Sequence, residues 1–292
     1  MLTGEEVEQP ADLVILSAYG LSNVHLMLLS GIGKPYDAEA QTGVVGKNYA
    51  YQGGSGVTLF YEDKAFNPFI AAGGWGVSID DFHTNWAFDR GKHGYVGGSY
   101  ISVGGSHGRP ISWRPVPAGT PQWGSAWKKA TAKWYQSAIS VVASGMVMPN
   151  RYNALDLDPT YKNRFGQPLM RMTFDFKENE AKMNRHSAEI IGQIGKVMNP
   201  TMMGNPAART TWNSVPYQST HNTGGAVMGA DPATSAVNPH LQSWDLSNVF
   251  VTGASAFPHN SGYNPTGPVG ALAYRMADTI REKYLKNPGP LG

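Results

Sequence analysis

Apolar positions fall into three regimes along this chain. Ala11–Ser17 (ADLVILS) is a short apolar run whose length and Val and Ile content predict a buried strand. It ends in Ala18-Tyr19-Gly20, and Ser22 is placed to cap a following helix in which Val24, Leu26, Met27, Leu28 and Leu29 are apolar nearly all round, predicting burial. Gly31 and Gly33 close it, giving half of a βαβ unit. From about Val44 to Val116 the pattern changes to short β-prone runs broken by glycine pairs, such as Gly56–Tyr61, Gly74–Ile79 and Tyr95–Val103, which predicts an antiparallel sheet. A helix is expected over Ser125–Ser137, a strand over Ala138–Met148, turns across Asn153–Pro168 and an alternating strand over Leu169–Asp175. Asn179–Met198 has the strongest helical period, with Met183, Ile190, Ile191, Ile194 and Val197 on one face. A last buried strand, Leu246–Val251, precedes a closing helix over Val269–Lys283.

The fold class expected is therefore α+β: an antiparallel-sheet domain with helices over residues 41–215, flanked by α/β pieces at 1–40 and 216–292 that should pack together. No internal repeat or low-complexity linker interrupts the 292 residues.

Composition narrows the chemistry. Only 15% of residues are charged, against about 25% in ordinary soluble chains, and the formal net charge is +2, which gives no electrostatic case for nucleic acid. Aromatic content of 11% with 35 glycines and 20 prolines suits ordered, turn-rich structure rather than disorder. With no cysteine, the chain has no disulfide framework, thiolate metal site, iron–sulfur ligation or cysteine nucleophile. No stretch approaches the roughly 18 apolar residues needed to cross a bilayer, and the first residues lack the basic start and apolar core of a signal peptide.

Two places could carry catalysis. Asn264-Pro265-Thr266-Gly267 opens the last helix; Asn264 should be extended before proline, Pro265 should be the first helical residue, and the amides of Thr266 and Gly267 become donors at a positive helix end. That start suits phosphate, carboxylate or the pyrimidine edge of a reduced flavin, the plain alternative being a well-capped helix. Of eight histidines, His221 stands in a small polar loop, Thr220-His221-Asn222-Thr223-Gly224-Gly225, as the best candidate base. His259 lies in the loop before Asn264, His25 is expected to be a satisfied core residue, and His83, His93, His107, His186 and His240 show no metal-ligand spacing. Gly54-Ser55-Gly56 and Gly105-Ser106-His107-Gly108 lack the nucleophile-elbow pattern and read as turns, and no phosphate-binding glycine loop is present. Trp75, Phe82 and Trp86 could stack on a sugar ring or serve as core.

Together these segments resemble the C-terminal half of the glucose–methanol–choline (GMC) family of flavin oxidoreductases. His221-Asn-Thr-Gly-Gly-Ala-Val-Met-Gly-Ala-Asp231 looks like the family's catalytic-histidine loop, and Val249-Phe-Val-Thr-Gly-Ala-Ser-Ala-Phe-Pro258 like its late flavin-contacting strand and turn. Asn264-Pro265-Thr266 falls where the family places a second catalytic His or Asn, and the 43 positions between His221 and Asn264 fit that pair. Val14–Gly20 followed by Leu29-Ser-Gly-Ile-Gly33 is similar to the family's second signature, departing from it at Ala18, Tyr19 and Asn23. Within the family, His221-Asn-Thr-Gly and Asn264-Pro-Thr resemble most the bacterial sugar and polyol dehydrogenases, including flavoprotein subunits of the gluconate 2-dehydrogenase type, while Asn in the second position also occurs in cellobiose- and cholesterol-oxidising members.

The resemblance implies FAD as cofactor, contacted by Ala18, Tyr19, Gly20, Gly253, Ala254, Asn264, Pro265 and Thr266, and oxidation of a CH–OH group of a sugar, sugar acid or polyol. His221 would take the hydroxyl proton, Asn264 would hold the developing alkoxide, and hydride would pass to flavin N5. An imidazole, ordinarily titrating near pH 6.5, can serve as such a base at neutral pH, whereas an amide can only orient and hydrogen-bond. The family's N-terminal Gly-x-Gly-x-x-Gly turn for ADP has no counterpart here. The expectation is therefore a piece of a longer or split enzyme, inactive and poorly soluble alone, that needs its N-terminal half or a partner chain. The subfamily further implies a cytochrome-type electron-acceptor subunit and a periplasmic or envelope location. A non-catalytic sugar-binding module and a serine hydrolase using His221 are the competing readings.

Overall fold

The computed structural model describes residues 4–67, 75–83, 85, 88–104, 113–214 and 220–291. In chain order it forms β1 (Val14–Leu16), α1 (Gly20–Leu29), β2 (Lys47–Ala50), β3 (Gly53–Phe60), β4 (Trp75–Ile79), α2 (Arg90–His93), β5 (Ser99–Gly104) and α3 (Gly124–Trp134). There follow β6 (Ala138–Gly145), β7 (Ala154–Lys162), β8 (Pro168–Thr173), α4 (Glu178–Val197), β9 (Met202–Met203), β10 (Ala207–Ala208), β11 (Thr223–Gly225), β12 (Val249–Val251) and α5 (Thr266–Thr279), which continues as a π-helical turn over Ile280–Tyr284. The class is mixed α/β, built mainly on antiparallel sheets.

The chain divides into two compact units. The first gathers residues 1–51, 147–175 and 213–292; the second takes 52–146 and 176–212. Segment 147–175, expected within the 41–215 block, thus sits with the chain ends. Its backbone explains why: Leu155 N–H donates to Gly46 O, and Leu155 belongs to the same apolar core as Val24, Met27, Val45 and Phe250. Asp-Leu-Asp-Pro, read from its residue types as a turn, is inside strand β7, whose hairpin with β8 turns instead at 163–167, where Asn163 Oδ1 accepts from the amides of Phe165 and Gln167.

The second unit is a six-stranded antiparallel sheet in the order β10-β3-β6-β5-β4, with β9 also on β3. Helix α4 lies on β3 and β6. Ile191 joins Val57, Leu59, Ile101, Ile139 and Val141 in the core, and a Cβ on Gly145 would fall 2.5 Å from Met183 Cε, so glycine there lets the helix approach. Val197, counted on the apolar face, is instead 86% exposed because the helix overruns the core in its last turn. Gly54-Ser55-Gly56 is in strand β3, not a turn, and the buried Ser55 Oγ donates to Asn184 O at 2.6 Å, a structural role.

In the first unit β1 and β12 pair in parallel, Val14 with Val249 through Leu16 with Val251. β12 is fully buried, but β1 is only three residues long and half-exposed, so the expected burial of that strand is not met. Val14 N–H donates to Asn248 O and Leu16 O accepts from Thr252 N–H; strand alternation then turns the N–H and C=O of Ile15 away from β12. α1 starts at Gly20 rather than after Ser22, with no side-chain cap, and Leu26 is exposed on a helix otherwise packed on the core.

Candidate active site

Parallel strands put their carboxyl ends at one edge, and the connections leaving them form a crevice there. β1 leads into Ser17-Ala18-Tyr19-Gly20, and β12 into Thr252-Gly253-Ala254. Between them and the start of α5 opens a cavity of about 590 Å³, lined also by Thr220, His221 and Asn222 from the loop before β11. Asn264, Pro265 and Thr266 complete the rim, with Val269 and Ala273 along α5 as the apolar wall. No Asp, Glu, Lys or Arg is among the lining residues, so the start of α5 is the main source of positive potential. The helix begins at Thr266, one residue later than expected, with Pro265 in the preceding cap position. Val269 N–H is the first to close back, onto Pro265 O at 2.9 Å, which leaves the amides of Thr266 and Gly267 as helix-start donors.

His221 and Asn264, 43 residues apart, meet here: Nε2 and Oδ1 are 2.7 Å apart, and His221 Nδ1 is 2.9 Å from Thr220 Oγ1. A hydroxyl both donates and accepts, so Thr220 can satisfy Nδ1 in either tautomer, including the one that leaves the Nε2 lone pair facing the cavity. His221 adopts φ 64, and Asn260 Nδ2 holds its carbonyl at 2.7 Å. The loop behind it crosses β2 so closely that a Cβ on Gly224 would lie 2.0 Å from Asn48 O, which with φ 83 explains the small residues after His221.

Of the candidate flavin contacts, Tyr19, Gly20, Gly253, Ala254, Asn264, Pro265 and Thr266 all line this cavity. Ala18 does not: its amide is bonded to Asn23 Oδ1 at 2.8 Å. Asn23, buried in α1, also donates to Thr252 O at 2.7 Å and to Ser255 Oγ at 3.3 Å, so the position that departs from the family signature ties the two strand ends together. Six further residues line the cavity beyond the candidates: Ser17, Thr220, Asn222, Thr252, Val269 and Ala273. Ser17 ends a strand whose cavity edge only tertiary pairing defines. Thr252 is 9% exposed, and its Oγ1 has no hydrogen-bond partner although it is buried beside the cavity. An orphaned hydroxyl, a pair of helix-start amides and an apolar wall fit a polar-edged planar ring such as a flavin, whose polar atoms would satisfy the hydroxyl.

The remaining candidates lie elsewhere. His25 is half-buried with Nε2 2.9 Å from Pro168 O, in keeping with a satisfied core histidine. His259 is outside the cavity lining, with Nδ1 buried and unpartnered. His93 stacks on His186 at 3.8 Å between ring centres, a pairing that spacing alone did not reveal. Among the described residues no group of three or more His, Asp or Glu could hold a metal ion. Phe82 packs against the core of the second unit rather than standing free for a sugar. The side chain of Trp75, together with Trp86 and Gly105-Ser106-His107-Gly108, lies outside the described residues.

The chain is similar to several known proteins. The model of the GMC oxidoreductase family matches residues 149–273. The chain is 54% identical over 291 residues to a gluconate 2-dehydrogenase flavoprotein from Pantoea cypripedii, covering 99% of this chain and 47% of that protein. It is 26% identical over 281 residues to the large subunit of fructose dehydrogenase from Gluconobacter japonicus, covering 92% of this chain and 47% of that one. The chain thus spans about half the length of the relatives it matches. Among solved structures, pyridoxine 4-oxidase from Mesorbium loti superposes with a TM-score of 0.62 at 17% identity over 93% of this chain and 52% of that one. A formate oxidase variant from Aspergillus oryzae RIB40 gives 0.60 at 15% over 94% and 55%. The family model, the relatives and the fold thus all liken this chain to GMC oxidoreductases.

Proposed function

We propose that this chain supplies the catalytic pair and the flavin-ring side of an FAD-dependent dehydrogenase acting on a CH–OH group of a sugar, sugar acid or polyol. The observation that carries the proposal is the 2.7 Å approach of His221 Nε2 to Asn264 Oδ1 at the rim of a cavity that the start of α5 closes. The gluconate- and fructose-oxidising relatives support the substrate class.

Bound FAD supplies the hydride acceptor and stores the two electrons. The chain's own groups do the rest. The substrate hydroxyl enters between His221 and Asn264, replacing their mutual contact. The lone pair of Nε2 takes the hydroxyl proton as the C–H bond breaks, while Nδ1–H donates to Thr220 Oγ1. The Asn264 side chain, turned so that Nδ2 faces inward, donates to the oxygen as negative charge grows there; amide orientation is the only change this requires. Thr252 Oγ1, the Thr266 and Gly267 amides and the backbone at Gly253 and Ala254 would hold the ring edge, with Val269 and Ala273 excluding water behind it.

The first unit accordingly serves the flavin and carries the catalytic pair. The half-exposed strand β1, with the Ile15 N–H and C=O turned outward, supports the reading that another polypeptide stretch completes the sheet and that this chain alone is inactive and prone to associate. In the complete enzyme an electron-accepting subunit, of cytochrome type in the subfamily, would reoxidise the flavin.

Two measurements test this. Visible spectra of the chain titrated with FAD should develop the resolved band of a protein-bound flavin once the completing polypeptide is present. In that flavin-loaded enzyme His221→Ala should lower turnover by about 10²–10⁴-fold with flavin still bound. Turnover within tenfold of the parent enzyme, or loss of flavin with the imidazole, would overturn the assignment of His221 as a base separate from cofactor binding.

A further inference from the structure

Asn222, directly after His221, is buried and tied at both ends of its amide. Tyr49 of β2 donates its hydroxyl to Asn222 Oδ1 in a short hydrogen bond, and Asn222 Nδ2 donates to Tyr19 OH at 2.5 Å, with a weaker contact to Thr220 O at 3.4 Å. The two tyrosines differ. Tyr49 is fully buried and held edge-on against Phe174, with ring centres 5.4 Å apart at 82°, and does not line the cavity. Tyr19 is 46% exposed and forms part of the cavity wall.

Both residues that this amide couples to the cavity are conformationally costly. Tyr19 has φ 85, an outlier for a bulky residue, and His221 has φ 64. Strain of this kind persists only where surrounding contacts hold it. Glycine would meet the φ at position 19 without cost, so the turn into α1 gives no reason for tyrosine. Its hydroxyl, bonded to the neighbour of His221, does: the strained turn after β1 and the strained loop before β11 are locked to each other through one buried amide, and to the rigid Tyr49.

Resting on His221 as the base, we propose that Tyr19 is a positioning residue for it: through Asn222, with Tyr49 as anchor, Tyr19 fixes the loop that aims the imidazole at Asn264 and holds its tautomer.

The experiment compares Tyr19→Phe with Tyr49→Phe, each losing one hydroxyl to Asn222 from opposite ends and only one from the cavity. In the chain labelled with ¹⁵N in its histidine rings, with the His221 signals identified by their loss in His221→Gln, both variants should move the two His221 nitrogen signals toward each other as tautomers begin to exchange. The other histidines should stay in place. Unchanged His221 signals in both variants, or a shift of all histidines together, would overturn the proposal, the second by showing a general structural effect. In the flavin-loaded enzyme both variants should lower kcat by about tenfold with KM within about twofold, and Tyr49→Phe, away from the cavity, should also keep flavin affinity within about twofold; kcat within twofold of the parent in both variants would also overturn it. Should His221→Ala retain turnover, the reading of His221 as base falls, and the ¹⁵N arm still decides whether Tyr19 positions it.

Discussion

The two units of this molecule are specified by different kinds of side chain. In the sheet unit, backbone ladders satisfy most polar groups, and specificity comes from apolar layers: Val57, Leu59, Ile139 and Val141 beneath Ile191 of α4. In the unit that carries the cavity, regular structure is short, and buried amides do what ladders do elsewhere. Asn23 bonds Ala18, Thr252 and Ser255; Asn238 accepts from the amides of His240 and Gln242; Gln242 reaches Ser247, Gly289 and Leu291; Asn260 holds His221 and Gly262. The difference teaches where precision is needed. A packed apolar layer tolerates small adjustments, whereas an amide bonded at both ends fixes loops to within a hydrogen-bond length, as a reaction site requires.

Truncation in each unit should separate the two modes. Ile191→Ala empties the centre of the sheet unit's core and should cost about 2–5 kcal/mol in denaturant unfolding, with no change in flavin affinity of the completed enzyme. Asn23→Ala leaves the Ala18 amide and the Thr252 carbonyl without their partner and should cost about 2 kcal/mol. It should also weaken flavin binding by about tenfold, since both loops it ties border the cavity. Equal flavin affinity in the two variants would break the comparison, because the cavity's shape would then not depend on its amides.

The same contrast explains what could be read from the sequence. Short β-prone runs expose β5, β6 and the second half of β3, alternation exposes β8 and the 3.6 period exposes α4, whose apolar face ends before Val197, beyond the edge of the core; the glycines of Gly54-Ser55-Gly56 hide the first half of β3. Elements of the first unit obey no such rule. Val14–Leu16 and Val249–Val251 are equally apolar, yet one is half-exposed and the other sealed, because coverage depends on residues far away in sequence. β7 was hidden behind Asp and Pro, whose turn preference yielded to pairing with β8. His221 and Asn264 were legible through their loop motifs and interval. Thr252, Ser17 and the Tyr19–Asn222–Tyr49 chain were not, since each acquires its role from a contact across the fold, and Asn23 appeared only as a departure from a pattern.

The smallest expected effect concerns a stack of titratable rings in the sheet unit. His186 of α4 stacks on His93, lies parallel to Phe88 at 5.9 Å, and has Nδ1 2.9 Å from Tyr95 OH; Glu189 is the nearby acid, and Lys182 approaches Gly94. Burial first, and the His93 imidazole second, hold His186 below the ordinary imidazole value, with Glu189 opposing. The sign follows from linkage. The unfolded chain takes up a proton near pH 6.5 that folded His186 still refuses, so stability is full above that pH and declines as pH falls below it. His186→Phe keeps a ring in the stack and removes the titration. The urea midpoint of the parent should therefore drop between pH 7.5 and 5.5 by more than that of the variant, while at pH 7.5 the variant loses only the Tyr95 hydrogen bond. Equal drops would mean that the stacked pair accepts its proton as readily folded as unfolded. The stack would then cost the sheet unit no pH-dependent stability, like the neutral polar groups it already buries at Ser55 and Asn184.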